Sequence, residues 1–321
     1  MLFVHKYYGI LLRMKAQAKT HEEINKNLAS RSSTQRGSLI TSEDCAKVIM
    51  LAPHDEGVMR NGGRRGSALA PKCIVHCLKK FSLGLSEQHK VQVIEVVQAN
   101  NESFESMQLK QTNVITSMLQ TKSRSHIVHV GGGHDHIYPL LAALTKCYQQ
   151  PIHVINIDAH LDTRDDLVEH SGTPFRQFQK LAKERSRITQ IGIQDFANAA
   201  ANWNGMKMDV HSLDKIENDT LGFTNFDRHY LDELLNINKE ELTVFSLDLD
   251  AINGFEMPAV SAVNPAGLPL MFVRALHRRY QKKMTEYKTP SITGFYELNP
   301  IYDCVSGTSA KAVAAMILNS I

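Results

Sequence analysis

From Lys47 onward, short apolar runs alternate along the chain with longer amphipathic stretches. The runs are KVIMLAP (47–53), KVQVIEVV (90–97), HIVHVGG (126–132), PIHVINID (151–158), RITQIGI (187–193), LTVFSLDLD (242–250) and SITGFYELN (291–299). Each has the length and the β-branched content of a buried strand. Helix-like segments such as AALTKCYQQ (142–150) and QFQKLAKERS (177–186) separate most of them. Strand alternating with helix predicts an α/β fold whose parallel sheet is covered on both faces. Residues 1–40 have a different character. A polar stretch over Met14–Ala29 predicts a helix, and SRSSTQRGS (30–38) reads as a loop. The expected organisation is an N-terminal extension over 1–40 and one α/β domain over 41–321.

Composition narrows the function classes. The chain has 321 residues, 43% hydrophobic and 21% charged, enough apolar material for one large core. The formal net charge of +3, with Lys and Arg spread among the acids, makes no electrostatic case for nucleic acid or an anionic membrane. No apolar stretch approaches the roughly 20 residues that span a bilayer. The basic, partly apolar start, MLFVHKYYGILLRMKAQAK, is broken by His5, Lys6 and Arg13, and Glu22 and Glu23 follow, so it reads as neither a secretory signal nor a transit peptide. Five scattered cysteines do not make a disulfide framework, and Cys73 and Cys77 lack the further ligands of a zinc site. A cytoplasmic protein with reduced thiols is the expectation.

Three clusters carry candidate chemistry, and each ends an apolar run. In His129–His136 (HVGGGHDH), three glycines let the backbone turn sharply before His134, and no P-loop lysine follows. In Ile155–Asp162 (INIDAHLD), residues at i, i+2 and i+4 of an extended strand share a face, which would bring Asp158, His160 and Asp162 together. In Phe245–Asp250 (FSLDLD), Asp248 and Asp250 repeat the i, i+2 spacing. One such acidic pair would read as a solvated strand end. Four Asp and two His at three strand ends instead need a counter-charge, because buried carboxylates without one are costly. Oxygen-rich ligands with two imidazoles suit Mn²⁺. Six ligands on one octahedral ion, or two ions bridged by Asp158 and Asp248, fit equally well. The C-terminal edge of an open parallel sheet is also where ligands bind.

GGGHD, DAHLD and SLDLD, in this order, resemble the metal motifs of the arginase (ureohydrolase) superfamily, over residues from about 50 to 310. The resemblance implies a three-layer α/β/α domain with a parallel sheet of about eight strands. It also implies two Mn²⁺ per subunit, one held by His134, Asp158, Asp162 and Asp248 and the other by Asp158, His160, Asp248 and Asp250. Trimers or hexamers are common in such folds, so a homo-oligomer is expected.

Among the branches, the chain most resembles the formimidoylglutamases. The segments that carry this are GVMRNGGRRG (57–66), SGTPF (171–175) and GIQDFAN (192–198). Phe175 stands where arginases have a proton-shuttling His, which puts that shuttle in doubt here. The implied substrate is a small amidine with a cationic end and two carboxylates, hydrolysed to glutamate and formamide. Glu297 matches the Glu that pairs with the planar cation in this superfamily. Arg60, Arg64, Arg65 and Arg176 are candidate carboxylate clamps, since guanidinium meets carboxylate bidentately. Asn61, Thr173 and Asn198 are candidate neutral contacts. Asp162 is expected to carry the proton of the attacking water to the departing nitrogen, and His170 is a candidate helper. The rival readings are another ureohydrolase, releasing urea from a guanidino substrate, and a metal-free binding protein.

Overall fold

The computed structural model describes residues 34–84, 89–97 and 103–321. The helix predicted over Met14–Ala29 lies outside them. Residues 35–40 belong to the fold: Arg36 N–H donates to Phe81 O, Leu83 N–H donates to Thr34 O, and Gln35 bridges Ser82.

The apolar runs form the strands expected of them. These are β2 (Lys47–Ala52), β3 (Val91–Glu95), β4 (His126–Gly131), β5 (Ile152–Ile157), β6 (Ser186–Ile193), β8 (Leu242–Asp248) and β9 (Ser291–Tyr296). Two short strands join them, β1 (Ile40–Thr41) and β7 (Asp209–Ser212). Neither shows in the apolar pattern, because both are edge strands whose side chains are only part-buried. All pair in parallel in a 9-stranded sheet of order β1-β3-β2-β4-β9-β8-β5-β6-β7.

Alternation along each strand feeds two cores, as the pleat requires. Val48 and Met50 face one cluster, and Ile49 and Leu51 the other; Val154 and Val244 oppose Ile155 and Phe245 in the same way. One face is covered by α2 (Ala70–Lys80), α6 (Leu213–Asp219), α7 (Arg228–Leu235), α8 (Leu270–Tyr287) and α9 (Thr308–Ile317). The opposite face is covered by α3 (Phe104–Thr121), α4 (Ile137–Cys147) and α5 (Pro174–Ala182). The short α1 (Glu56–Arg60) lies in the loop after β2. The result is the three-layer α/β/α architecture. Among the described residues, no helix is long and apolar enough to cross a membrane.

The strand order decides where chemistry can gather. The central four strands, β4-β9-β8-β5, are neighbours in space although the chain visits them far apart. Their C-terminal ends carry GGGHD, Glu297, Asp248 and Asp158 respectively. Parallel pairing puts all four ends on one edge, at the point where the chain order reverses, which is where open sheets leave a crevice.

Candidate metal centre

The acidic clusters converge, but not by the pleat that the spacing suggested. Strand β5 stops at Ile157, so Asp158, His160 and Asp162 lie beyond it in a turn, and the i, i+2, i+4 strand face is not what aligns them. Asp158 Oδ1 instead accepts the backbone N–H of His160 at 2.7 Å. Asp248 at the end of β8 does the same with the N–H of Asp250, at 2.9 Å, and the chain tightens into a 3-10 turn over Leu249–Ala251. Each D-x-[HD] pair is thus a side-chain-to-backbone turn that Asp favours. In each, one oxygen of the leading Asp fixes the turn and Oδ2 points inward. Asp162 completes the bend with φ 51° and Glu297 sits at φ 67°, a left-handed conformation unusual for a residue with a side chain.

The inward oxygens meet at His134. Its Nδ1 lies 3.1 Å from Asp158 Oδ2, 2.9 Å from Asp162 Oδ2 and 3.1 Å from Asp248 Oδ2. One ring nitrogen cannot donate to three acceptors, and no well-directed hydrogen bond forms there. The other nitrogen, Nε2, is held by Ser246 Oγ at 2.9 Å. Tyr296 stacks on the ring at 5.0 Å and Phe175 meets it edge-on at 5.4 Å. An imidazole so fixed, with its second nitrogen anchored, is the arrangement metal-ligating histidines adopt. Beside it, His160 Nδ1 lies 3.6 Å from Asp158 Oδ1 and 3.3 Å from Asp250 Oδ2, and Asp250 Oδ1 is also without a partner.

The side chains fall into two overlapping groups that could hold an ion, His134–Asp158–Asp162–Asp248 and Asp158–His160–Asp250. Asp158 belongs to both. Asp158 is fully buried, and Asp248 and Asp250 nearly so. Without cations, the protons must share out unevenly. Burial and then the neighbouring Asp250 and Asp158 push the Asp248 carboxyl well above its ordinary value, and burial raises Asp162. Burial opposes a charged His134, yet Asp158, Asp162 and Asp248 hold it protonated well above the imidazole range. A divalent cation would replace those protons and satisfy the orphaned atoms, so the donor set fits manganese or a similar ion.

Of these residues, His160, Asp162, Asp248 and Asp250 floor a cleft of about 290 Å³. Glu297 lines it, 6% exposed, with Oε1 accepting the His134 N–H at 2.9 Å. Burial raises its carboxyl well above the ordinary value, against the lowering effect of the His134 N–H it accepts. Asn61, Arg64 and Asn198 also line the cleft.

The remaining candidates are mostly held by partners within the protein, whether or not they line the cleft. Arg60 is turned to Glu105 (2.6 Å) and Glu56 (3.4 Å) and lies over the Phe104 ring. Arg176 is buried with its guanidinium on the carbonyls of Thr163, Asn204 and Asn202. Arg65 is outside the lining, and its carbonyl accepts from Asn299 Nδ2. Thr173 Oγ1 accepts the His170 N–H and donates to the His170 carbonyl. His170 Nε2 meets Asp166 Oδ2 at 2.7 Å while Nδ1 accepts the Gly172 N–H, so neither nitrogen is free. Asn198 lines the cleft, but its amide bridges Leu161 N–H and the carbonyls of Ala159 and Gln194, which splints the DAHLD turn. Arg64 holds the carbonyls of Ser261 and Val260 and stacks on Tyr302 at 3.8 Å.

Arg164 and Ser171 are among the lining residues that sequence reasoning did not single out. Arg164, just past DAHLD, is exposed to the cleft, with Nη1 donating to Asn61 Oδ1 at 2.7 Å. Ser171 receives the other end of that amide at 3.1 Å. The signal for both was proximity to the motifs, two residues after Asp162 and at the head of SGTPF.

Comparison with known proteins agrees with this geometry. A family model for the arginase family matches residues 46–321. The formimidoylglutamase of Salmonella newport (strain SL254) is 31% identical over 269 residues, covering 82% of this chain and 80% of the relative. That of Klebsiella pneumoniae (strain 342) is 28% identical with the same coverage. Among solved structures, Trypanosoma cruzi formiminoglutamase with Mn²⁺ superposes with a TM-score of 0.73 at 23% identity, over 89% of this chain and 96% of that one. Bacillus subtilis formimidoylglutamase gives 0.74 at 18% identity, over 89% and 91%. At such identities the structures establish a shared fold.

Proposed function

The chain belongs to the arginase family as a formimidoylglutamase-like hydrolase, and we propose that it cleaves N-formimidoyl-L-glutamate with water to L-glutamate and formamide, using two Mn²⁺. The observation that carries this reading is the polarity of one cleft. Its floor holds the buried carboxyl of Glu297 beside the Asp–His cluster, and its wall presents Arg64 and Arg164. That is the complement of a molecule with an amidinium at one end and carboxylates at the other.

His134, Asp158, Asp162 and Asp248 would hold one ion and Asp158, His160, Asp248 and Asp250 the other. Bound there, the ions would supply Lewis acidity, which lowers the pKa of water and stabilises negative charge as the tetrahedral carbon forms. The protein's own groups do the rest. Glu297 pairs with the amidinium through the oxygen not taken by the His134 N–H. Asp162 takes the proton of the attacking water and delivers it to the departing glutamate nitrogen. Arg164 and Arg64 hold the carboxylates, with Asn61 and Ser171 orienting Arg164 from behind. Asn198, Thr173 and His170 act through the loops they brace, and Arg60, Arg65 and Arg176 are given no part in binding substrate.

The test is a substrate panel on the Mn²⁺-loaded protein, with formamide and urea measured separately. Formamide from formimidoylglutamate, with little urea from arginine or agmatine, is expected. Urea from a guanidino compound while formimidoylglutamate stays inert would replace the proposed reaction with that of another ureohydrolase.

A further inference from the structure

Behind the metal cluster runs a buried chain of polar groups that the proposed reaction does not use. Tyr296 Oη lies 2.8 Å from His129 Nδ1, and His129 Nε2 lies 3.0 Å from the carboxamide of Gln111. The other arm of that carboxamide lies 2.8 Å from His136 Nδ1, and His136 Nε2 lies 3.1 Å from the His54 carbonyl. Gln111, His129, His136 and Tyr296 are all fully buried.

The chemistry fixes the direction of the chain. A carbonyl only accepts, so His136 Nε2 carries a proton, and a neutral ring then leaves Nδ1 bare. Oxygen and nitrogen of a carboxamide are told apart by their partners. The NH₂ end of Gln111 therefore belongs against His136 and its oxygen against His129 Nε2–H, leaving His129 Nδ1 to accept the Tyr296 hydroxyl. Each link then joins one donor to one acceptor and no member is charged, which suits a buried network.

Both ends of the chain grip His134. Tyr296 stacks on its ring. His136 sits in the same 3-10 turn, His134–His136. The slot for Tyr296 is built for close fit: a Cβ on Gly294 would come within 2.4 Å of Tyr296 Oη, and one on Gly131 within 2.7 Å of Cδ1. No hydrogen bond or ring contact joins His160 or Asp250, in the second ligand group, to this chain.

We propose that Gln111, on α3 in the outer helical layer, is a positioning residue for the ion held by His134, acting through Tyr296 and His136. The inference rests on the proposed two-ion centre. Breaking the chain should weaken one ion and spare the other, a selectivity that general loosening of the fold would not produce. Groups that orient metal ligands from behind typically account for about 10- to 100-fold in affinity.

The experiment is Mn²⁺ titration of Gln111→Leu and Tyr296→Phe by calorimetry, with the electron paramagnetic resonance signal of the coupled Mn²⁺ pair recorded at each step. Tyr296→Phe keeps the stack and the packing but removes the hydroxyl, so it serves if Gln111→Leu does not fold. The expected result is two wild-type sites, of which one weakens about 10-fold or more in the variants while the other holds, so that the pair signal gives way to that of a single ion. Wild-type affinity at both sites in the variants would overturn the inference. So would equal loss at both sites with a lowered Tm of the metal-free protein, the mark of a merely structural role. A wild-type protein that takes up no Mn²⁺ would remove the two-ion centre and the inference together, so the two failures are distinguishable.

Discussion

The floor of the cleft and its rim were read from the same chain by similar reasoning, yet they met the structure differently. On the floor, all six residues picked as ligands stand together. At the rim, of four arginines picked as clamps only Arg64 lines the cleft, and the cation with most of its donors free there is Arg164. Floor residues sit at the ends of strands or within five residues of them, and the pairing of β4, β9, β8 and β5 fixes where those ends lie. Rim residues sit on loops, where the nearest acid or carbonyl decides which way a guanidinium points. Glu105 holds Arg60, and three carbonyls hold Arg176. A carboxylate pair buried at a strand end has few alternatives to a cation, whereas a surface arginine has many partners.

The sharpest way to break this comparison is at the floor. Asp158 is shared by both ligand groups and also fixes the turn through His160 N–H. Asp158→Ala should lose most bound Mn²⁺ and with it nearly all activity. Elemental analysis of the purified variant checks this. Full occupancy of both sites would show that Asp158 does not bridge, and the contrast between a determined floor and a negotiable rim would lose its basis.

Glu297→Gln comes next and separates substrate binding from metal binding within the floor. Glutamine keeps the acceptor for His134 N–H but cannot pair with an amidinium. Losing a charge-assisted contact typically costs about 2–4 kcal/mol, so kcat/KM should fall roughly 30- to 1,000-fold with both ions retained. Unchanged kcat/KM would take Glu297 out of the site.

The same contrast marks what was legible in the sequence. The apolar runs foretold seven of the strands, since buried strand positions need apolar side chains, while the edge strands β1 and β7, with no buried residue, left no such trace. The candidate ligands were legible at i, i+2 spacing, but their geometry was misread as a strand face when it is an Asp-capped turn. Spacing alone cannot tell the two apart, because both bring i and i+2 together. Ser246 sat in plain view in SLDLD, but its role depends on facing His134, 112 positions away, which only the sheet order reveals. Gln111, in an amphipathic helix, gave no signal at all.

At the rim, the prediction is a difference between two arginines. Arg164→Met removes a guanidinium that faces the cleft with one neutral partner, and its loss should raise KM for formimidoylglutamate about 10-fold or more with kcat little changed, since such a contact holds substrate and transition state alike. A kcat that fell as steeply as KM rose would instead place Arg164 on the reacting end.

Arg60→Met carries the smallest expected effect and tests the other half of the contrast. Arg60 is near in sequence to the cleft-lining Asn61 but pairs with Glu105 and Glu56 and lies 4.6 Å over Phe104, so its removal should leave KM within about twofold. What it should lose is a little stability. Glu105 is half exposed, so solvent screening limits the ion pair, with the ring contact, to about 1 kcal/mol or less. The sign with pH is fixed. The hydrogen bond from Arg60 holds the Glu105 carboxyl below its ordinary value. The pair therefore stabilises the fold above the carboxyl's unfolded pKa, and that contribution is lost as pH falls through the lower, folded one. Denaturant unfolding of wild type and Arg60→Met should differ at pH 7, and the part due to the pair should vanish toward pH 3, leaving the ring contact. A large rise in KM with unchanged stability would mean that Arg60 swings into the cleft when substrate binds, and that loop arginines are less committed to their local partners than the rim geometry indicates.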